Sequence, residues 1–208
     1  MKVLMICTEK LPVPEVRGGA IQTYISGILP YLSQYVDLTI LGVNDPELPD
    51  SEVMNGVTFA RIPGREFNLY AKGVVDFVKF HSFDLIHIFN RPKLVLPIRQ
   101  VAPRAKIILS MHNDMFVPTK IPPEEARAVI MEVSRIVTIS SYIGKAIEKL
   151  YPEASGKWVP IYSGVDSERF MPGSYPSMKK IEMRFERNTG WKRKRYCSMQ
   201  GDYRPTKG

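Results

Sequence analysis

The feature that most constrains this chain is a regular alternation of short apolar runs with amphipathic segments. Continuous apolar runs predict strands buried on both faces, and apolar residues repeating every three or four positions predict helices between them. Strands are predicted at 3–7, 36–41, 57–62, 84–89, 105–111, 135–139 and 158–162. Helices are predicted at 20–34, 67–80, 92–101 and 124–133, with a further one running to about residue 150.

Strands separated by helices of this length are typical of a parallel sheet covered by helices. The predicted fold class is therefore α/β, a Rossmann-like parallel sheet with helices on both faces. The alternation covers about residues 1–170, and an irregular basic tail follows it. In such sheets ligands bind where the carboxyl ends of the strands meet, so the loops after the strands are the candidate sites.

Charge is distributed very unevenly along the 208 residues. The formal net charge is +8, which on its own would favour a nucleic-acid or membrane-surface partner. Residues 178–208 hold ten Lys and Arg against three acids, so +7 of that charge lies in the tail and residues 1–177 carry only +1. Basic residues in the body are scattered and lack interleaved aromatic residues. No nucleic-acid partner is therefore expected for the body, and the tail leaves open a disordered segment or a polyanion-binding arm.

Cysteine content and hydropathy indicate the compartment. Two cysteines, Cys7 and Cys197, form neither a disulfide framework nor a metal-binding pattern, so no metal site is predicted. The apolar start is interrupted by Glu9 and Lys10, which argues against a signal peptide. The sequence contains no run of about 18 apolar residues, so no integral membrane segment is expected. A cytoplasmic location is the default expectation.

The loop after the first strand ends in Arg17-Gly18-Gly19 and leads into a helix. Paired glycines let the backbone approach a ligand, and the free N–H groups of the helix can then bind a phosphate or diphosphate. A tight turn that requires positive φ explains the pair equally well. No G-x-G-x-x-G follows this strand, which disfavours an NAD-type dehydrogenase. Walker and G-x-S-x-G motifs are also absent from the sequence.

Polar residues follow several of the other predicted strands. His112, with Asn113 beside it, could donate a hydrogen bond or act as an acid or base, or be held by a neighbouring loop. His87 lies inside a strand, which favours a buried structural role. Arg91 could bind an anion or lie on the surface. Ser140, or the serine after it, can cap the next helix, and capping alone explains its presence.

Five segments in this order resemble the N-terminal domain of family 4 glycosyltransferases of the GT-B fold. They are KVLMICTEKLPVPEVRGGAIQTYI, DLIHIFNRP, ILSMHND, VTISSYIGKAI and VPIYSGVDSERF. The first and last look closest to the spore coat protein SA type. The resemblance covers residues 1–172, which would form the acceptor-side Rossmann-like domain of such an enzyme.

The resemblance implies site residues and substrates. Gly18 and Gly19 would contact the donor diphosphate, and His112 would be the active-site histidine near the donor sugar. Asn113 takes a place often filled by Asp, and Ser140 matches the serine that begins the helix beyond the sixth strand. The donor would be a nucleotide sugar, bound as substrate without a cofactor, and the acceptor a glycan or small molecule. Phe89 and Gln22 depart from the family's usual residues, which leaves acceptor contacts open.

Enzymes of this family use a second Rossmann-like domain, which supplies most of the nucleotide-sugar site. The expectation is a truncated glycosyltransferase-like protein that is inactive alone. The alternative is a non-enzymatic binding or structural protein, such as a spore-coat component, which would place it in the spore coat. The oligomeric state is left open.

The tail, residues 173–208, ends in RPTKG, similar to a G-R-L-x-P-x-K-G loop that opens the family's second domain. Reverse translation of residues 178–203, read from the third base of each codon, permits EKDRDEVRAEHGLEEETVLLYAGRL. That peptide would be an acidic amphipathic helix followed by a buried strand. We hypothesise that this segment is an out-of-frame remnant of the start of the donor-binding domain.

Overall fold

The computed structural model describes residues 1–165, and Met1–Ser163 form one compact unit. Residues 166–208, with the basic tail and the segment of the frame hypothesis, lie outside the described part. Within residues 1–165, no helix is long and apolar enough to cross a membrane.

Within residues 1–165, eight strands form a single sheet, and five α-helices pack against it. The strands are β1 (Lys2–Ile6), β2 (Asp37–Val43), β3 (Ser51–Met54), β4 (Val57–Ile62), β5 (Leu85–Phe89), β6 (Lys106–Met111), β7 (Arg135–Thr138) and β8 (Trp158–Pro160). The helices are α1 (Ala20–Leu32), α2 (Phe67–Phe80), α3 (Val95–Val101), α4 (Pro123–Glu132) and α5 (Ser141–Leu150). Each predicted strand and helix is present, although several ends differ by one to three residues. The helix predicted from Pro92 begins with a separate 3-10 turn, Pro92–Leu94.

The strand order is β3-β4-β2-β1-β5-β6-β7-β8, and every neighbouring pair except β3 and β4 is parallel. The edge strand β3 is absent from the sequence prediction. It forms a hairpin with β4 through Asn55 and Gly56, which both have positive φ. An Asn-Gly pair is the strongest short hairpin signal. Strand β3, however, has only four residues and is largely exposed, so it lacks the apolar run that indicates a buried strand.

Two separate cores confirm that helices cover both faces of the sheet. Side chains alternate along β1, so Leu4 and Ile6 face one core while Val3 and Met5 face the other. The first core contains buried residues from α2, α3, α4 and α5. The second core is closed by α1, through residues such as Ile25.

The order of the central strands decides which loops come together. Strand β5 lies between β1 and β6, and the register pairs Ile6 with Ile88 and Phe89 with Ser110. Because all three strands are parallel, the loops after them emerge side by side at the same edge of the sheet. This carboxyl edge contains the glycine loop and His112, which are far apart in the sequence.

Candidate functional site

The glycine loop requires both of its glycines, but for different reasons. Gly18 has φ +76° and Gly19 has φ +108°, a region that L side chains rarely adopt. A Cβ at Gly18 would meet no atom within 4 Å, whereas one at Gly19 would lie 2.2 Å from Gln22 Oε1. Gly19 precedes α1, whose first turn contains no acidic residue. The N–H groups of that turn, which no side chain caps, can therefore donate to a bound anion.

Gln22 holds the glycine loop in place from inside. Its buried side-chain Nε2 donates to Leu11 O at 3.0 Å and to Thr8 Oγ1 at 3.3 Å. The position that departs from the family's usual residue therefore has a structural role in this chain. Arg17, beside the glycines, is bound to Asp45, with Nη2 3.0 Å from Oδ1. Hydrogen bonds from Arg17 lower the pKa of Asp45, so the pair stays ionised near neutral pH.

His112 is the first residue after β6, and α1 connects it to the glycine loop. The edge of its ring meets Tyr24, on α1, with the two ring centroids 5.2 Å apart. The ring of Phe89 is tilted against the imidazole, with the two centroids 5.9 Å apart. Partial burial lowers the pKa of His112 below its ordinary value. The imidazole is therefore neutral near pH 7, and one nitrogen can donate a hydrogen bond while the other accepts one.

The backbone of His112 is anchored by a residue that the sequence analysis missed. The N–H of His112 donates to Asn90 Oδ1 at 2.8 Å. Asn90 is buried and has φ +52°, a conformation that Asn tolerates better than most residues. The sequence signal that could have identified Asn90 is its place directly after a buried strand.

His87 lies beside this site, within β5. Its Nε2 is 2.6 Å from Ser110 Oγ, and its ring stacks on Phe89 with centroids 4.4 Å apart. Burial, with a smaller contribution from the charge of His112, lowers the pKa of His87 to about 4. These contacts agree with the structural role that its strand position predicts.

Arg91 is not the exposed surface residue that the sequence allowed, because its side chain is largely buried against Glu9, and its contact with an anionic ligand stays a prediction. Its Nε and Nη2 donate to the two carboxylate oxygens of Glu9, at 2.5 and 2.8 Å. The Glu9 side chain is 3% exposed and that of Arg91 13%. Burial opposes ionisation of Glu9, but the hydrogen bonds from Arg91 outweigh it, and the pKa is lowered. The pair joins the ends of β1 and β5.

Two predicted site residues have only local contacts. Asn113 is exposed, and its carbonyl accepts from the N–H of Met115 at 2.9 Å. Ser140 is the N-cap of α5, where its Oγ accepts from the N–H of Ile143 at 3.4 Å. Within residues 1–165, no hydrogen bond joins either side chain to His112. Their proposed ligand contacts therefore remain predictions.

Residues 1–165 contain no group of three or more His, Cys, Asp or Glu side chains arranged to hold a metal ion. What the carboxyl edge offers is a glycine turn at a helix start and a neutral histidine beside it. Such groups can bind a diphosphate and donate a hydrogen bond to a neutral substrate.

The chain was compared with known proteins, and no protein-family model matches it. The chain is 38% identical over 208 residues to the Bacillus subtilis (strain 168) protein named "Putative glycosyltransferase YtcC", covering all of this chain and 50% of that protein. It is 41% identical over 172 residues to spore coat protein SA of the same organism, covering 83% of this chain and 45% of the relative. The chain thus spans about half the length of the curated relatives it matches.

A solved structure shows the same fold. The crystal structure of Anabaena HepE in complex with UDP and glucose matches with a TM-score of 0.59 at 16% identity, covering 90% of this chain and 50% of that one. At that identity the likeness establishes the fold alone. Together with the two sequence relatives, it shows that the chain resembles glycosyltransferases in sequence and in fold.

Proposed function

We propose that this chain is the acceptor-side part of a family 4 glycosyltransferase, which transfers a sugar from a nucleotide-sugar donor to a glycan or small-molecule acceptor. The observation that carries the proposal is that helix α1 connects the Gly18-Gly19 turn to His112. The helix begins at the Gly18-Gly19 turn, and one turn later its Tyr24 contacts His112 at 5.2 Å between ring centroids. A diphosphate at the helix start and a sugar at the imidazole would then be neighbours.

The chemistry follows from where charge develops. Transfer breaks the bond between the anomeric carbon of the sugar and the diphosphate, and the diphosphate leaves with additional negative charge. Backbone N–H groups and the positive end of α1 would stabilise that charge. Neutral His112 would hydrogen-bond a sugar hydroxyl and orient the ring. The nucleotide sugar is a substrate in this scheme, and no resident cofactor or metal is required.

One sheet edge supplies only one side of such a site. Residues 1–165 offer helix N–H groups and a histidine, and the cation near the glycines, Arg17, is already bound by Asp45. We therefore expect the nucleotide and most of the diphosphate charge to be held by a second domain in a complete enzyme. The 208-residue polypeptide alone should bind UDP weakly and transfer no sugar.

The test is a titration of the purified 208-residue chain with UDP, followed by two-dimensional NMR. With UDP we expect saturable shifts at the glycine loop. With a UDP-sugar the shifts should extend to His112, and the affinity for the UDP-sugar should be reduced at least tenfold in the His112→Ala variant. His81→Ala, at an exposed histidine on the far end of α2, is the matched control and should bind as the unmodified chain does. UMP should bind more weakly because it lacks the second phosphate. A flat response to UDP contradicts the proposal.

A second candidate is a non-enzymatic component of the spore coat. It is supported by the 41% identity to spore coat protein SA over 172 residues. This role predicts localisation to the coat and no dependence of any binding on His112. Equal oligosaccharide binding by the unmodified chain and His112→Ala, with no response to UDP, would favour it over the enzymatic role.

A further inference from the structure

A cavity of about 380 Å³ lies at the carboxyl edge of the sheet, and the function proposed above does not use it. Three loops line it. Glu9 and Lys10 follow β1, the segment from Arg91 to Lys93 follows β5, and Met115 and Lys120 follow β6. Phe67, at the start of α2, completes the wall.

The cavity concentrates positive charge in a body that is otherwise nearly neutral. Four bases and one acid line it, for a formal charge of +3. The acid, Glu9, is already held by Arg91 and by Lys10, whose Nζ is 3.1 Å from Oε1. Lys93 and Lys120 are exposed, and within residues 1–165 neither forms a salt bridge. These two ammonium groups therefore carry charge that the chain itself does not neutralise there.

The rest of the wall is apolar. Phe67 and Met115 are partly buried and pack against the core formed by α2 to α5, and Pro92 is buried. These side chains give the cavity an apolar surface beside its basic residues. A ligand that fits it has an anionic group for the lysines and a less polar face, such as that of a sugar ring, for Phe67 and Met115.

The cavity and the Gly18-Gly19 turn share the carboxyl edge of the sheet, but the side chains beside them pack on different cores. His112 packs against Phe89 and Tyr24, which belong to the core closed by α1. Phe67 and Met115 belong to the other core. Two anionic ligands could thus occupy the same edge without sharing a cation.

We propose that this cavity binds the acceptor, and that the acceptor carries a phosphate group recognised by Lys93 and Lys120. This inference rests on the proposed function, because it assigns the second substrate of the same reaction. A phosphate fits better than a carboxylate, since two unneutralised ammonium groups match a dianion and leave a monoanion with excess positive charge.

The experiment uses glucose 6-phosphate as the probe for the full 208-residue chain, with glucose and glucuronate as neutral and carboxylate comparisons. We expect saturable NMR shifts around Phe67 and Met115 with glucose 6-phosphate, at least tenfold weaker binding of glucuronate, and none of glucose. The double variant Lys93→Gln/Lys120→Gln should lose at least tenfold in affinity. Lys149→Gln, at an exposed lysine in the last turn of α5, is the control and should bind normally.

A titration with UDP distinguishes the acceptor-site proposal from the proposed function. UDP should neither displace glucose 6-phosphate nor bind differently to the double lysine variant. Suppose that UDP binds. The acceptor site is then overturned, while the proposed function stands, by any one of three results: glucose 6-phosphate binding that does not depend on the two lysines, glucuronate binding as tightly as glucose 6-phosphate, or displacement of UDP and glucose 6-phosphate by each other. Lysine-dependent glucose 6-phosphate binding without any UDP response supports a phosphate site in the cavity while the proposed function fails.

Discussion

Asn90 and His112 are joined by a hydrogen bond of 2.8 Å, donated by the His112 backbone N–H to the Asn90 side-chain oxygen. The bond links the residue that follows β5 to the residue that follows β6. It sets the course of the chain just where the histidine leaves the sheet. The position of the candidate catalytic residue therefore depends on a side chain 22 positions earlier in the sequence.

The first prediction concerns this bond. Asn90→Ala removes the acceptor and leaves the His112 N–H without that partner, so the chain should lose about 1–3 kcal/mol of stability. Asn55→Ala is a matched control, since Asn55 also has positive φ but is exposed in the β3–β4 turn. Urea unfolding of both variants measures the difference. Equal losses would show that the cost is conformational and that the bond contributes nothing.

The two glycines should respond differently to alanine. Gly18→Ala introduces only a side chain at positive φ, at a cost of about 1–2 kcal/mol. Gly19→Ala also places a Cβ 2.2 Å from Gln22 Oε1, and Gln22 cannot move without losing its own hydrogen bonds. It should cost at least about 1 kcal/mol more. Thermal unfolding of the pair tests this, and a Gly19→Ala variant as stable as Gly18→Ala would contradict it.

Ser140 allows its cap and ligand roles to be separated. Removal of the α5 cap in Ser140→Ala should cost about 1 kcal/mol. Ser141→Ala loses only a 2.9 Å contact with the exposed Tyr162 hydroxyl and should cost less than about 0.5 kcal/mol. If capping is its whole role, Ser140→Ala leaves UDP affinity unchanged. If Ser140→Ala weakens the free energy of UDP binding by more than it lowers the free energy of unfolding, the result supports the ligand role that the family resemblance implies.

The pH dependence of stability should report His87. Burial lowers its pKa from 6.5 to about 4 in the folded chain. Between those values the unfolded chain takes up a proton that the folded chain does not, so stability falls as the pH falls through this window. The loss should be on the order of 2–3 kcal/mol. His112, whose pKa is also lowered by burial, contributes in the same direction.

The measurement is urea unfolding from pH 7 to pH 4 for the unmodified chain and His87→Gln. Glutamine can still hydrogen-bond Ser110 but does not titrate here, so its stability should depend less steeply on pH. Gln100→Asn, at an exposed residue that does not titrate, is the control and should keep the slope of the unmodified chain. Identical slopes for all three proteins would rule out His87 as the source.

The frame hypothesis for residues 178–203 is tested by the coding DNA. If it holds, the frame that begins at the third base of these codons is open and encodes an acidic amphipathic segment followed by an apolar one. A stop codon in that frame, or a product without this pattern, eliminates the hypothesis.

The α/β class and the central parallel strands could be predicted because hydrophobic periodicity is a local property. Each buried strand, such as Val3 to Ile6, has an apolar run, and each helix has an apolar stripe. Strand β3 was missed because a short exposed strand has no such signature. Its place in the sheet comes from hydrogen bonds to β4, which is a pairing between segments.

Site residues were predictable only as candidates. The sequence placed Gly18, Gly19 and His112 after strands, where ligands bind, but it did not indicate the partner of Arg91. Arg91 binds Glu9, 82 positions earlier, and that pairing exists because β1 and β5 are neighbours in the sheet. No local pattern encodes the neighbour of a strand.

The sequence by itself thus determined which segments are strands and helices, and which loops follow buried strands. Only the tertiary structure decided that α1 connects the glycine turn to His112, that Asn90 anchors the histidine, and that Lys93 and Lys120 border one cavity. The physical reason is the separation along the sequence over which each kind of interaction acts. Burial patterns and turn preferences act over a few residues, whereas these contacts follow from the order β2-β1-β5-β6, which depends on packing across the whole sheet.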